Sequence, residues 1–302
     1  MDVGVIGTGV MGRNHVRVYS ELKEVGDLYV YDTNPAAAKD IASIHDIKTV
    51  ETLNELVSSV EAISLCVPTP NHYSLAKELL NRDISLLIEK PICLTSEEGN
   101  RLLDYIQNGV TVGVGHIERF NPIVQEIKNI ISKPLYVELK RHNPASSRNS
   151  TGSVVEDLMI HDIDIVTHCF FNSNDFSFVA KGSEDVAGVL GRSGSATISL
   201  SASRKSSKKI RMVHIEQEDM TIQGDFMSQE IYVYRKPGRY SIENERYVQE
   251  NIVEKVLVAK REPLLSELKT FISCAKENKP FPVTPKEAVD NVRICEEIRR
   301  GL

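Results

Sequence analysis

The sequence predicts an α/β protein in which an N-terminal doubly wound parallel sheet is followed by an α+β domain with a mostly antiparallel open sheet. Two observations predict this. Strand-like and helix-like segments alternate over the first third of the chain, which is typical of a parallel sheet. Short strand-like runs then dominate the middle of the chain. We expect domains over residues 1–120 and 121–302, with the helices of residues 263–302 packing back on the core.

The first predicted strand leads directly into a glycine-rich turn. Residues 3–6 form a short β-rich run, Gly7, Gly9 and Gly12 follow it, and residues 10–22 carry a helical pattern. In a dinucleotide-binding turn the first glycine permits the tight turn, the second lets a diphosphate approach the backbone, and the third lets helix and strand pack closely. The alternative is an ordinary glycine-rich turn. The strand-turn-helix context favours a Rossmann-type nucleotide site over residues 1–120.

Asp32 follows the second strand-like run, twenty residues after Gly12. An acidic residue at this place accepts hydrogen bonds from the adenine ribose and would repel the extra phosphate of NADP. The predicted cofactor is therefore NAD. NADP is the alternative, since Thr33 could hydrogen-bond a phosphate and Arg13 or Lys39 could neutralise it.

The remaining elements of the first domain follow from the alternation of apolar runs and helical patterns. Strands are predicted at residues 28–31, 62–67, 85–89 and 111–115, and helices at 36–42, 73–80 and 96–106. Ligands bind beyond the carboxyl ends of such strands. The segment Pro68-Thr69-Pro70-Asn71-His72 and the segment Glu89-Lys90-Pro91 both lie at such ends, where a nicotinamide is expected.

From residue 121 onward the pattern predicts a sheet-rich domain. A helix at 122–131 and a strand at 134–141 precede short strands at 178–181, 186–190, 196–201, 209–216, 219–223 and 231–234, and helices at 264–276 and 285–300 complete the chain. Open sheets of this type often leave one face exposed, so we expect a homodimer or homotetramer formed through the C-terminal sheet.

Asp157, His161, Asp164 and His168 are spaced to form a polar stripe on one helix face. His161 titrates near neutral pH and can accept an alcohol proton, and Asp157 one turn earlier can orient its imidazole. A divalent metal site is the alternative. His161 and His168 are about 10 Å apart along a helix axis, which is too far for one ion without a bend, so no metal is predicted.

The composition fits an enzyme that acts on small molecules. The chain has 302 residues, 41% of them hydrophobic, and a formal net charge of -6. The acidic balance and the lack of a dense Lys/Arg run argue against nucleic acid as the main partner. No membrane span or signal peptide is apparent, so a cytoplasmic location is expected. Five widely spaced cysteines predict neither a disulfide framework nor a zinc site.

Taken together, the motifs resemble those of the Gfo/Idh/MocA oxidoreductases, a family named for glucose-fructose oxidoreductase and inositol dehydrogenase. The resemblance rests on the N-terminal glycine run, the two strand-end segments, residues 113–122, the Asp157-x-x-x-His161-x-x-Asp164 motif and the stretch from Glu262 to Leu268. It implies an NAD(P)-dependent dehydrogenase that acts on CH-OH groups of small molecules. In this family the lysine of the second segment contacts the substrate hydroxyl.

The resemblance assigns roles to the residues of both domains. Lys90, Asp157 and His161 are the predicted catalytic residues, although Lys90 alone could equally be a surface lysine paired with Glu89. His72 is placed near the nicotinamide ribose, with a helix cap as the alternative. The predicted cofactor-binding residues are Gly7, Thr8, Gly9, Val10, Met11, Gly12, Asp32, Thr33, Pro68, Thr69, Asn71, His72, Glu89 and Lys90.

The substrate is expected to be a sugar or a nucleotide sugar. Residues 140–143 and 146–149 are rich in hydrogen-bond donors, which suits a polyhydroxylated ligand or, equally, a flexible surface loop. The predicted substrate-binding residues are Lys90, Arg119, Asn143, Arg148 and His161. Residues 113–122 resemble family members that oxidise UDP-N-acetylglucosamine at carbon 3. The alternatives are an inositol or free aldose dehydrogenase and a non-catalytic NAD-binding regulator or scaffold.

Overall fold

The computed structural model describes residues 1–144, 152–171, 173, 176–238, 240–243, 246–249 and 251–302. The chain divides into two compact units. The first, here called the nucleotide unit, comprises Met1–Phe120 and Glu262–Glu296, and the second, here called the sheet unit, comprises Asn121–Arg261 and Glu297–Leu302. The chain therefore leaves the nucleotide unit after Phe120 and returns to it at Glu262.

The nucleotide unit begins with alternating strands and helices. In chain order these are β1 (Val3–Ile6), α1 (Val10–Glu21), β2 (Leu28–Tyr31), α2 (Pro35–His45), β3 (Lys48–Thr49), α3 (Leu53–Ser59), β4 (Ala62–Leu65), α4 (His72–Leu80), β5 (Ser85–Glu89), α5 (Ser96–Leu103) and β6 (Val112–Gly115). Every residue of β1, β4, β5 and β6 is buried, as expected for parallel strands covered on both faces.

The six strands form one parallel sheet in the order β3-β2-β1-β4-β5-β6. Val3 pairs with Leu28 on one side and with Ala62 on the other, so the strand order reverses between β1 and β4. This confirms the predicted doubly wound parallel sheet. The sequence analysis missed β3 and α3, which are short. Thr52 begins α3 with a capping box, in which its side chain accepts from the Glu55 N–H and Glu55 accepts from the Thr52 N–H.

The sheet unit follows with two helices and ten strands among its described residues. These are α6 (Pro122–Ile130), β7 (Tyr136–His142), α7 (Ile160–Asp164), β8 (Ser177–Gly182), β9 (Val186–Ser193), β10 (Ala196–Ser203), β11 (Ile210–Glu216), β12 (Met220–Asp225), β13 (Glu230–Arg235), β14 (Tyr240–Glu243), β15 (Arg246–Gln249) and β16 (Ile252–Val256). One turn of π-helix precedes α7 at Val155–Met159 and another follows it at Ile165–Phe170.

Eight of these strands form one sheet in the order β16-β13-β12-β11-β7-β10-β9-β8, while β14 and β15 pair separately. All neighbours in the large sheet are antiparallel except β7 and β10, where Tyr136 pairs in parallel with Thr197. The mostly antiparallel second sheet is thus confirmed. Its strands alternate between buried and more exposed residues, as in β7, where Val137, Leu139 and Arg141 point to the buried side.

Two C-terminal helices complete the chain, α8 (Pro263–Glu277) and α9 (Pro285–Arg300). Phe271 and Ile272 of α8, and Phe281 after it, belong to the same buried core as the strands of the parallel sheet. Gly113 of β6 allows this contact, because a Cβ there would lie 2.3 Å from Cδ1 of Phe281.

No helix among the described residues combines the length and the apolar character of a membrane span.

Candidate active site

The glycine-rich turn between β1 and α1 has the geometry that a diphosphate-binding loop requires. Gly7 has a φ of +90°, and a Cβ there would lie 2.8 Å from the carbonyl oxygen of Cys66. A Cβ at Gly12 would lie 1.8 Å from the carbonyl oxygen of Gly7. A Cβ at Gly9 would meet nothing within 4 Å. Gly7 and Gly12 are thus needed for the turn and for close packing, while the backbone at Gly9 is open to a ligand.

The N-terminus of α1 offers backbone N–H groups to an anion. Gly9 is the N-cap residue and forms no side-chain capping hydrogen bond. The first turn of this 12-residue helix contains no acidic residue. Because the first N–H groups of a helix lack partners within it and lie at its positive end, this turn suits a phosphate. The residues present therefore fit the diphosphate of a dinucleotide.

Asp32 lies directly after β2 and is tied to the same turn. Its Oδ2 accepts hydrogen bonds from the Thr8 N–H at 2.7 Å and the Thr8 hydroxyl at 2.8 Å, and its Oδ1 accepts from the Asn34 N–H at 2.8 Å. Burial opposes ionisation of Asp32, but these hydrogen bonds from Asn34 and Thr8 outweigh it and lower its pKa. Asp32 therefore presents a fixed negative charge beside the turn.

His72 opens α4 after the loop that follows β4. The ring is 1% exposed, with Nδ1 2.8 Å from the Pro91 carbonyl oxygen and Nε2 2.9 Å from the Val67 carbonyl oxygen. Burial lowers the pKa of His72, although both carbonyl groups favour its charged form. The imidazole thus connects the chain segments that follow β4 and β5. Its assignment to cofactor binding stays a prediction.

Lys90 follows β5 and is half-buried, whereas Glu89 before it is almost fully buried. The Glu89 carboxylate lies 2.9 Å from Nε2 of His15 and accepts from the Lys90 N–H at 3.2 Å. The Lys90–Pro91 peptide bond is cis. Lys90 therefore stands at the carboxyl end of a central strand, as the sequence predicts, while the side chain of Glu89 points into the interior.

Arg119 has a structural partner that the sequence did not reveal. Its Nη1 donates to Glu287 Oε2 at 3.0 Å and to the Pro282 carbonyl oxygen at 3.3 Å, and its side chain is only 9% exposed. These contacts hold the end of the first chain segment to the beginning of α9. A role of Arg119 in substrate binding stays a prediction and forms no part of the function proposed below.

Asp157 and His161 lie in the helical segment around α7 in the sheet unit. Both are partly exposed, whereas Leu158, Met159 and Ile160 between them are buried. His168 is also partly exposed, but Asp164 is 1% exposed. Because π-helical turns interrupt the α-helix on both sides, the spacing expected for a regular helix does not hold throughout. Asp157, His161 and His168 are therefore partly accessible, whereas Asp164 lies in the interior.

A buried ion pair lies next to His161 in the chain. Arg141 of β7 donates from Nε and Nη2 to Oδ1 of Asp162, at 3.0 and 2.7 Å, and both side chains are 2% exposed. The donor-rich run of residues 140–143 suggested a ligand contact or a surface loop for Arg141, and neither fits its buried pairing with Asp162. Strand alternation was the available signal, since Arg141 shares the buried side with Leu139.

The predicted substrate contacts in this unit are placed only in part. Asn143 follows β7 and its N–H donates to the Ser203 carbonyl oxygen at 2.8 Å. Its side-chain oxygen is buried and has no hydrogen-bond partner among the described residues. Arg148 lies outside the described residues. Asn143 therefore remains a candidate for a polar ligand contact.

Comparison with known proteins agrees with this geometry. Residues 1–116 match the family model described as "Oxidoreductase family, NAD-binding Rossmann fold", GFO_IDH_MocA. The chain is also 28% identical over 292 residues to UDP-N-acetylglucosamine 3-dehydrogenase from Acidithiobacillus ferrooxidans, covering 93% of this chain and 90% of the relative. Residues 1–116 thus match the Gfo/Idh/MocA oxidoreductase family, and the similarity to the Acidithiobacillus ferrooxidans enzyme extends along nearly the whole chain. This confirms the resemblance that the sequence motifs indicated.

Other relatives extend the comparison within the family. An inositol 2-dehydrogenase from Rhizobium meliloti is 25% identical over 174 residues, covering 54% of this chain and 52% of the relative. The solved structure of the Acidithiobacillus ferrooxidans enzyme superposes with a TM-score of 0.88 at 25% identity and covers 100% of this chain and 97% of its own. The chain is thus similar to a dehydrogenase along its whole length, and its residues 1–116 match an oxidoreductase family with an NAD-binding Rossmann fold.

Proposed function

We propose that the protein oxidises a secondary alcohol of a nucleotide sugar with NAD, and that UDP-N-acetylglucosamine, oxidised at carbon 3, is the leading candidate substrate. One observation carries this proposal. The relative with that activity matches along nearly the whole of both chains, whereas the inositol 2-dehydrogenase from Rhizobium meliloti matches over about half. The family model, which is described as NAD-binding, covers only residues 1–116. A match that also includes the sheet unit therefore bears on the substrate and not only on the cofactor.

The contacts of Asp32 support NAD rather than NADP. Its carboxylate is held ionised beside the glycine-rich turn, where it would accept hydrogen bonds from ribose hydroxyls and repel a 2′-phosphate. Arg13, which could neutralise that phosphate, is paired with Asp40 at 2.9 Å. The residues that would hold the cofactor are the turn from Gly7 to Gly12 and Asp32.

The proposed chemistry uses Lys90, Asp157 and His161, the residues to which the family resemblance assigns catalysis. NAD, when bound, supplies the acceptor for the hydride that leaves the carbinol carbon. The ammonium group of Lys90 would hydrogen-bond the substrate oxygen and stabilise its developing negative charge. The imidazole of His161 would accept the hydroxyl proton, and Asp157 would orient the ring and stabilise its charged form.

A second substrate class follows from the inositol 2-dehydrogenases among the relatives. An inositol or a free aldose would use the same three residues, because the chemistry at a secondary alcohol does not change. A non-catalytic regulator or scaffold is the alternative of another class. The presence of Lys90, Asp157 and His161 together argues for catalysis.

The deciding experiment is nicotinamide reduction by the purified protein with NAD or NADP and a panel of nucleotide sugars, free aldoses and inositols. We expect turnover with UDP-N-acetylglucosamine and NAD. Lys90→Met and His161→Ala should each lower kcat about a hundredfold to ten-thousandfold, with NAD affinity retained. Lys269→Met, at an exposed lysine of the nucleotide unit, is the matched control.

Each outcome of this panel has a distinct meaning. Turnover with a free sugar or an inositol alone would keep the reaction type and reject the nucleotide-sugar substrate. NAD binding without any turnover would favour a regulatory role. Undiminished turnover in the Lys90 or His161 variant would remove that residue from the mechanism.

The large sheet supports a homodimer or homotetramer. Its more exposed face carries apolar side chains on four strands, namely Val179, Leu190, Met212 and Tyr234. The alternate residues of the same strands are buried. Val179 and Leu190 pair directly across neighbouring strands, and exposed apolar side chains that adjoin one another favour a protein interface. Sedimentation equilibrium tests this proposal, and a monomer at micromolar concentration would refute it.

A further inference from the structure

Three ionisable side chains are buried together in the nucleotide unit. They are His15 on α1, Glu89 at the end of β5 and Glu267 on α8, here called the buried acid cluster. One nitrogen or oxygen atom from each lies within 4.8 Å of those of the other two. His15 and Glu267 are fully buried and Glu89 is 6% exposed. Because burying an unpaired charge is costly, two carboxyl groups and an imidazole buried together must be paired with one another or be neutral.

Glu89 is anchored on two sides. His15 Nε2 lies 2.9 Å from its Oε1, and the Lys90 N–H donates to its Oε2 at 3.2 Å. Gly115 of the neighbouring strand leaves room for the carboxylate, since a Cβ there would lie 3.1 Å from Oε1. The carboxylate therefore connects helix α1 directly to the backbone of Lys90.

Glu267 differs from Glu89 in having no such anchor. Neither of its carboxyl oxygens has a hydrogen-bond partner among the described residues. Burial, together with the nearby charge of Glu89, raises the pKa of Glu267 well above its usual range. Burial opposes ionisation of Glu89 too, but the hydrogen bond from His15 and the charges of His15 and Lys90 lower its pKa. Burial beside Glu89 therefore favours the protonated form of Glu267, and the contacts of Glu89 favour its ionised form.

We propose that His15 and Glu267 are positioning residues, which act through the Glu89 carboxylate to fix Lys90 relative to the nucleotide-binding turn. The proposal rests on the dehydrogenase function given to Lys90 above. Helix α1 begins at the glycine-rich turn and carries His15, so the bond from His15 to Glu89 ties the cofactor helix to the strand end that bears Lys90. A neutral Glu267 beside Glu89 fills the interior without adding a second negative charge that would displace the first.

The first test removes the donor at His15 in the full-length protein. His15→Phe keeps a ring but cannot donate to Glu89, and we expect kcat to fall about tenfold to a hundredfold, the cost of a misplaced catalytic group. The Kd for NAD should change less than about threefold, since the glycine turn is untouched. His15→Gln can place an amide N–H near the position of Nε2 and should recover most of kcat. Equal losses in both variants would overturn the proposal.

The second test concerns the proton on Glu267. Glu267→Gln has the shape of the protonated acid and should lower kcat less than about threefold, whereas Glu267→Ala leaves a cavity beside Glu89 and should lower it about tenfold. An equal loss in both variants would mean that Glu267 acts as an anion, which overturns the proposal. Stoichiometric divalent metal in the purified protein, measured by elemental mass spectrometry and lost in Glu267→Gln, would also overturn it.

A readout without turnover separates this inference from the proposed function. With 15N-lysine labelling, the amide resonance of Lys90 should shift in His15→Phe and return toward its original position in His15→Gln. An unshifted resonance in folded His15→Phe would overturn the positioning role whether or not a substrate is found. If wild-type protein lacks turnover while the resonance shifts as expected, the proposed function fails and the link between His15 and Lys90 stands. If His15→Phe does not fold, the proposal is tested by the kcat of His15→Gln and by the comparison of Glu267→Gln with Glu267→Ala.

Discussion

Asp162 and Glu267 each place a carboxyl group in the interior of their own unit, but the charged groups next to the two carboxyls differ. Asp162 receives two hydrogen bonds from the guanidinium of Arg141, at 3.0 and 2.7 Å. Glu267 has a second acid, Glu89, as its charged neighbour and no hydrogen-bond partner among the described residues. In the sheet unit the buried carboxylate is paired with a cation, and in the nucleotide unit burial beside Glu89 favours the protonated form of Glu267.

The difference has a consequence for how each unit responds to its surroundings. A guanidinium stays charged at all ordinary pH values, so the cation of the Arg141–Asp162 pair does not change with pH. A protonated acid depends on pH as well. We therefore expect mutation to disturb the sheet unit most at Asp162, and pH to disturb the nucleotide unit most at Glu267.

The largest expected effect is at the buried ion pair. Asp162→Ala leaves the Arg141 guanidinium buried without its partner and should lower the free energy of unfolding by about 3–5 kcal/mol. Urea unfolding followed by circular dichroism measures this. A loss below about 1 kcal/mol would mean that solvent or another acid replaces Asp162, and the contrast between the two buried acids would then disappear.

A smaller, pH-dependent effect is expected at Glu267. The pKa of Glu267 is raised in the folded protein. At pH values below the ordinary pKa of glutamate, the side chain is protonated in both the folded and the unfolded protein, so it does not lower the stability. As the pH rises above about 4.3, the unfolded chain releases this proton while the folded protein keeps it, and stability falls until the folded pKa is passed. Each unit of pKa difference contributes about 1.4 kcal/mol.

Glu267→Gln removes this titration and is the direct check. The thermal midpoint of the variant minus that of the wild type should increase from pH 5 to pH 8. Taking this difference at each pH cancels the titration of ionisable groups elsewhere in the protein. The neighbouring groups Glu89, His15, Tyr19 and Cys66 lie close enough to respond to the substitution. A difference that is constant between pH 5 and pH 8 would show that Glu267 is already ionised in the folded protein.

The smallest effect is expected at an exposed ion pair in the sheet unit. Arg235 donates from Nε and Nη2 to the two carboxylate oxygens of Glu254, both at 3.0 Å. The pair uses the same two guanidinium nitrogens as Arg141–Asp162, but its side chains are 39% and 48% exposed. Glu254→Gln should leave the urea midpoint unchanged within error, because water replaces what the pair provides. A loss as large as that of Asp162→Ala would mean that geometry, not burial, determines the cost.

Local sequence patterns were sufficient where a function imposes close spacing along the chain. Gly7, Gly9 and Gly12 indicated the turn, and the apolar run before Glu89 placed Lys90 at a strand end, because both features depend on neighbours within a few residues. The parallel and antiparallel sheets could be predicted for the same reason. Strand composition and connection length differ between the two types of sheet.

Contacts between distant parts of the chain could not be predicted in this way. Arg119 pairs with Glu287, and Glu267 joins His15 and Glu89, across long stretches of sequence. Each of these residues resembles an ordinary charged helix residue when read alone. A charged residue at a buried position of an amphipathic pattern, as Glu267 is between Leu264 and Phe271, is the one local sign that such a contact exists.

The return of the chain to the nucleotide unit at Glu262 has a consequence for the order in which a ribosome delivers the parts. The parallel sheet is synthesised first, but Phe271, Ile272 and Phe281, which pack in its core, emerge only after residues 121–261 of the sheet unit. Until then Gly113 faces the space that Phe281 will occupy. The core of the unit that is begun first is thus completed only after most of the sheet unit has been synthesised, and the nascent chain must protect its apolar surface during that time.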